Sequence, residues 1–159
     1  MGSKIAKTNA MRILDRQKIE YEILEYDAND GKIDGVTVAG KINRTVEVVY
    51  KTLVAHRDQN LYIFVIPVAE ELDLKKCAKA AGEKKLEMLP VKDLLKWTGY
   101  IRGGCSPIGM KKNYPTFIDG RATELEKIIV SAGKIGLQLE LEPQKLADAV
   151  NATFIDLIK

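Results

Sequence analysis

Histidine and cysteine are scarce in this 159-residue chain: one histidine, His56, and two cysteines, Cys77 and Cys105. Any Ser-His-Asp or Cys-His catalytic arrangement would have to use His56, which sits in the polar stretch "HRDQN" between two apolar runs. The cysteines stand in no CxxC or zinc spacing, so no redox dithiol, metal site or cofactor is predicted. There is no P-loop and no GxGxxG, which removes the common nucleotide cradles. The longest apolar runs, such as "LYIFVIPVA", fall far short of the roughly 20 residues that span a bilayer. The N-terminal "MGSKIAKTNAMRILDRQ" is basic but has no apolar signal core. The expectation is a cytoplasmic protein with reduced thiols and no membrane partner.

What is present suits an ordinary globular protein: 46% hydrophobic and 30% charged residues, enough for one hydrophobic core, read as a single domain over 1–159. A net charge of +3 is a weak pull toward an anionic partner.

Along the chain, "KTNAMRILDRQKI" has helical apolar spacing and feeds the alternating "EYEILEY", a strand. After the Gly/Asp-rich loop "DANDGKIDG", "VTVAGKI" reads as a short helix weakened by Gly40. "VEVVYKTLVA" and "LYIFVIPV" read as a hairpin across the five residues "HRDQN". Asp73 is placed to cap "LKKCAKAA", with Gly82 at its end. "KKLEML" is a strand and "PVKDLLKW" a helix opened by Pro90. "PTFID", "KIIVSAG" and "GLQLELE" are three strands, and "PQKLADAV" is a final helix. Strands mixed with short helices predict an α/β (α+β) domain on a mixed or largely antiparallel sheet.

Three features carry chemistry. Lys51 stands in an apolar strand where an aliphatic residue is expected, and burying an ammonium costs several kcal/mol, as a rough scale, unless something polar meets it. It either points into a ligand cavity or snorkels from a strand edge. The stretch "YIRGGCSPIG" groups Gly103, Gly104, Ser106, Pro107 and Gly109 around Cys105, the composition of a tight turn or of a backbone-amide cradle. "SAGKIG", Ser131 to Gly136, repeats the theme at another strand end. Cys105 has no base beside it and Ser106 no histidine, so neither reads as a nucleophile. Lys75, Lys76, Lys79, Lys84, Lys85, Arg102, Lys111 and Lys112 either track a nucleic-acid backbone or form a solvated surface.

The motifs "YKTLV" (50–54), "ELDLKKCAKAAGEKKLEM" (71–88), "TGYIRGGCSPIGMKK" (98–112) and "IIVSAGKIGLQLEL" (128–141) together resemble the YbaK/EbsC family. Its members are free-standing Cys-tRNA(Pro) deacylases related to the editing domain inserted in bacterial prolyl-tRNA synthetases. The resemblance implies a barrel-like mixed sheet surrounded by helices, and hydrolysis of a mischarged aminoacyl ester on tRNA, in trans, beside prolyl-tRNA synthetase. DNA is not implied as a partner. The family's lysine falls on Lys51, followed by Thr52, and its first-strand tyrosine on Tyr26. Its two loops fall on Gly103, Gly104, Ser106, Pro107 and Gly109, and on Ser131, Ala132 and Gly133. The loop after the first strand, aromatic in many members, offers Ile33 and Asp34 here. The implied mechanism uses the substrate's own thiol, releasing a cyclic thioester, with Lys51 and loop amides holding the carbonyl and ribose. Two alternatives stand beside it: a deacylase for another substrate such as Ala-tRNA(Pro), and a non-catalytic RNA-binding module.

Overall fold

Helix α1 (Asn9–Arg16) begins where the Thr8 hydroxyl accepts the Met11 N–H (3.3 Å), and it buries Ala10, Met11 and Leu14 along one face. The computed structural model describes residues 5–159; residues 1–4, at the head of the segment read for a signal, lie outside the described residues. Strand β1 (Glu22–Glu25) is followed by α2 (Gly35–Lys41), capped by Asp34, whose carboxylate accepts the Thr37 N–H (3.1 Å). Next come β2 (Tyr50–Arg57), β3 (Asn60–Pro67), α3 (Leu74–Ala81), β4 (Glu87–Met88) and α4 (Val91–Thr98). Then follow β5 (Thr116–Asp119), a 3₁₀ turn, β6 (Ile128–Ser131), β7 (Leu137–Leu141), α5 (Pro143–Val150) and β8 (Thr153–Ile155).

The mixed α/β class is as expected, with the strands in two sheets. The antiparallel set runs β1-β7-β6, and the larger one β4-β2-β3-β5-β8, with β5 parallel to both neighbours. A single parallel bridge, Val49 to Ile129, joins them, so the barrel-like curvature is carried by two sheets meeting at a seam. The main core lies between the smaller sheet and α1 and α5, where Met11, Leu14, Ile128, Leu139, Leu141 and Leu146 are fully enclosed. Each such side chain contributes about 1.5–3 kcal/mol by burial.

Three local expectations are corrected. The hairpin turn is two residues, Asp58 and Gln59, because His56 and Arg57 continue to pair with Leu61 and Asn60; Asp58 takes the left-handed backbone (φ 52) that so short a turn needs. The strand at "VEVVYKTLVA" starts only at Tyr50, since Val46 to Val48 form a turn that carries the chain from α2 to the seam. "KKLEML" is a strand only over Glu87–Met88.

On the side facing the seam, β2 is held only near its two ends. Val48 O accepts the Ile129 N–H and Val54 O the Leu89 N–H, both at 2.9 Å. Just before the ladder Val68 N–H donates to Val49 O (2.9 Å), which sets the odd residues of β2 in the positions that bond to β3. By the alternation of an antiparallel ladder, Thr52 turns both its backbone groups toward the open edge between those two clamps.

Candidate active site

A cleft of about 900 Å³ opens at that gap. Its floor is β2 from Tyr50 to Val54, and its walls include Ile33, Arg102, Gly103, Ser131 and Gln138. Lys51 is partly buried where it borders this cleft, and no described residue gives its ammonium a hydrogen bond or an ion pair. Burial pulls its pKa below the ordinary 10.5, and the nearby charges of Glu71 and Glu70 pull it partly back. Beside it, Thr52 Oγ1 is buried without a hydrogen-bond partner, an arrangement that costs about 1–3 kcal/mol. Successive strand residues point to opposite faces, so the Lys51 side chain leaves β2 on the side of Ile66 and that of Thr52 on the side of Val65, and both residues border the cleft.

The glycine loop is built by contacts that only glycine permits. Gly103 has φ 86, and a Cβ there would lie 2.5 Å from Ile33 Cδ1. Gly104 N–H donates to Ile101 O (3.0 Å), so this amide closes a turn and is not free for a ligand. Gly104 also packs on the other loop's backbone, where a Cβ would be 3.2 Å from Ile135 N. Gly133, at φ 95, receives the Tyr100 ring: a Cβ would sit 2.9 Å from Tyr100 Cε1. The Tyr100 hydroxyl donates to Ile108 O, and burial pushes its pKa up to about 12. One tyrosine therefore ties both loops together. Ser131 Oγ accepts the Gly133 N–H (3.2 Å), which leaves its own hydrogen available to donate.

Among the residues expected from sequence, Lys51, Thr52, Arg102, Gly103 and Ser131 line the cleft. Gly104 and Ala132 are buried beside it. Tyr26 is buried with its Oη unpartnered, its N–H donating to Gly136 O (3.0 Å), and Lys41 Nζ lies 5.8 Å from its ring centroid. Three loop residues are placed differently from a substrate contact. Ser106 is fully enclosed, its Oγ accepting the Ile108 N–H (3.2 Å). Pro107 and Gly109 line a separate hollow of about 260 Å³ with Arg16 and Lys112. Of the expected RNA-facing lysines, Lys76 donates to Asp156 and to Ile158 O, each at 2.7 Å, and so braces the segment that follows β8. Lys111 donates to Lys96 O (3.1 Å), and Lys75 is exposed on α3.

Neither thiol is set up to attack. Burial raises both Cys105, at the cleft wall, and Cys77, on the buried face of α3, to about 12. His56 Nδ1 lies 2.9 Å from Asp58 O at the hairpin turn. Among the described residues no group of three or more His, Cys, Asp or Glu side chains converges to hold a metal ion. Gln138, paired with Ser131 across β6 and β7, and Tyr100 join the site without having been predicted. Tyr100 stands at the head of the glycine stretch, but only folding brings Gly133 to it.

Residues 36–149 match the family described as the aminoacyl-tRNA editing domain. The chain belongs to this family. A protein of Enterococcus faecalis, provisionally named Cys-tRNA(Pro)/Cys-tRNA(Cys) deacylase EbsC, is 45% identical over 152 residues, covering 95% of this chain and 93% of that one. A crystal structure described provisionally as a trans-editing enzyme for prolyl tRNA synthetase superposes with a TM-score of 0.84 at 19% identity, covering 97% of this chain and 99% of that one. Another, of a hypothetical protein, gives 0.85 at 19% identity over 93% and 97% of the two chains. These two show the fold. As an editing domain the chain is an aminoacyl-tRNA deacylase, and tRNA is its macromolecular substrate. No helix of the described residues is long and apolar enough to cross a membrane.

Proposed function

We propose that this editing-family enzyme removes cysteine from mischarged Cys-tRNA(Pro) in trans, beside prolyl-tRNA synthetase. The observation that carries the reading is the pairing of an unpartnered, half-buried Lys51 with two cysteines that burial holds protonated. A cleft without an activated protein nucleophile suits a substrate that brings its own. The name of the Enterococcus faecalis relative supports cysteine as the amino acid, and the description of the structural neighbour supports the synthetase as partner.

In the reaction the substrate's thiol sulfur attacks its own ester carbonyl. The new carbon–sulfur bond closes a small cyclic thioester, the ester carbon–oxygen bond breaks, and the departing ribose oxygen takes up the thiol proton. Water then opens the ring to free cysteine. Lys51 carries the negative charge that develops on the carbonyl oxygen, with the Gly103 amide as second donor. Thr52 Oγ1 and the Ser131 hydroxyl hold the ribose hydroxyls. Gly104, Ser106, Pro107, Gly109, Ala132 and Gly133 shape the two loops, and Tyr26 supports the chain entering α2. Arg102 meets the RNA backbone.

Deacylation of Cys-, Ser- and Ala-tRNA(Pro) by the wild type and by Lys51→Ala tests this. Cysteine alone should be removed, and the substitution should lower its rate about 10²–10³-fold, the loss typical of one preorganised donor. Equal turnover of the seryl ester would remove the thiol from the mechanism, and full activity of Lys51→Ala would remove the lysine.

A further inference from the structure

We propose that an apolar rim at the mouth of the cleft receives the terminal nucleobase of the aminoacyl-tRNA, an assignment that rests on the deacylase reading. Among the described residues the large exposed apolar side chains are Val36, Met88, Val91, Leu95, Ile101 and Ile155. Three of them line the cleft: Val36 at the start of α2 (50% exposed), Met88 in β4 (42%) and Val91 at the start of α4 (60%). Leu95 stands one turn beyond Val91 on α4, and Ile101 adjoins the cleft residue Arg102. Among the described residues, Ile155 lies apart from these, on β8 at the opposite edge of the larger sheet from β4.

Helix packing does not require this. Leu94 and Trp97 already anchor α4 against Val54, Leu61 and Ile63. Val91 and Leu95 are spaced i, i+4 on the adjoining, exposed stripe of α4, where a surface helix ordinarily carries charge. Exposed apolar groups gathered at one place mark a contact surface.

The chemistry of the substrate selects the occupant. One ester joins the amino acid to the terminal ribose, so a carbonyl held at Lys51 leaves the base of that same nucleoside at the mouth. A base presents flat apolar faces with polar edges, and apolar side chains cover those faces without reading sequence. On the α4 side basic residues outnumber acidic ones: Lys92 and Lys96 on α4 and Arg102 on the glycine loop make no ion pair with any described residue, against Asp93 on α4 and Glu87 next to Met88, while Asp34 stands on the α2 side. That charge matches the phosphates that precede the terminal nucleoside.

The test compares the cysteinyl ester of adenosine with the cysteinyl ester of methyl riboside, which lacks the base, in the wild type and in Met88→Ser/Val91→Ser. Both replaced side chains are solvent-facing, and a Tm close to wild type checks the fold. The wild type should prefer the adenosine ester by about tenfold in kcat/KM, and the double variant should bring the ratio close to one. A wild type that hydrolyses both esters equally overturns the rim and leaves the deacylase reading standing. So does a variant that keeps the preference, or one that loses equal activity on both. Loss that appears only when prolyl-tRNA synthetase is added reassigns the surface to a protein and overturns the nucleobase. If the wild type hydrolyses neither ester nor Cys-tRNA(Pro), the deacylase reading fails and the rim with it.

Discussion

The same substitution, glycine to alanine, should have opposite effects at Gly133 and Gly40. At Gly133 the backbone has φ 95, where an L side chain is strained by about 1–2 kcal/mol. The new methyl would also meet Tyr100 Cε1 at 2.9 Å and Tyr100 Oη at 3.3 Å. That ring cannot swing away cheaply, because its hydroxyl is bonded to Ile108 O and its surroundings are buried. Overpacking of this kind adds about 1–3 kcal/mol. The sum, roughly 2–5 kcal/mol, corresponds to a Tm fall of roughly 4–20 °C in a chain of this size. At Gly40, inside α2, a Cβ meets nothing within 4 Å and φ is not positive. Alanine there should stabilise by about 0.5–1 kcal/mol, raising Tm by roughly 1–4 °C. Thermal unfolding followed by circular dichroism measures both. Deacylation adds a second readout: Gly133→Ala shifts the ring that positions both loops, and a displacement of about 1 Å costs on the order of 10²-fold in rate. Gly133→Ala with an unchanged Tm, or with a lowered Tm and full activity, would refute Tyr100 as the link between the loops.

Cys77→Ala and Cys105→Ala should each keep most of the deacylase activity, since burial holds both thiols protonated; loss of turnover in a folded Cys105→Ala protein would contradict this. Burial lowers the Lys51 pKa, so activity should decline with rising pH before the ordinary lysine value of 10.5, and this limb should be absent from the profile of Lys51→Arg. Between the lowered pKa and 10.5 the unfolded chain binds the extra proton, so the contribution of Lys51 to stability rises with pH in that window. Lys41 Nζ donates to Asp27 O (2.6 Å), Asp30 Oδ1 (2.8 Å) and Lys32 O (2.9 Å), pinning the loop that carries Ile33 onto Gly103. Lys41→Met should raise KM several-fold with a stability loss of about 1 kcal/mol or less, partly restored by Lys41→Arg, and hydrogen exchange should report faster exchange across 28–34.

Elements with strong local signals are where periodicity and caps put them: α3 between Asp73 and Gly82, and α5 from Pro143. Expectations failed where tertiary pairing overrides local composition. His56 and Arg57 are polar, yet they extend β2, because one face at the end of a hairpin is solvent. Val46 to Val48 are β-branched at both ends but serve as the corner between the two sheets. Strand β8, short and half-polar, exists because β5 offers it an edge. In the site, Lys51 was visible as a charge in an apolar run, and the glycine loops as turn composition. What was not visible was the division of labour inside them, with Gly104 spending its amide on Ile101 and Ser106 facing inward while Gly103 and Ser131 face the cleft. Those outcomes depend on long-range contacts such as Tyr100 with Gly133.

The gap in β2 also bears on how this molecule avoids others of its kind. An exposed strand edge is ordinarily a template for a foreign strand and a route to aggregation. Here the free stretch is closed by Ile129 at one end and Leu89 at the other, leaving only the short run from Tyr50 to Val54 between the clamps. A neighbouring chain would need several consecutive residues to register there, and the opening gives it no such length. The fold thus exposes peptide dipoles to something as small as an aminoacyl group while denying them to a β-strand.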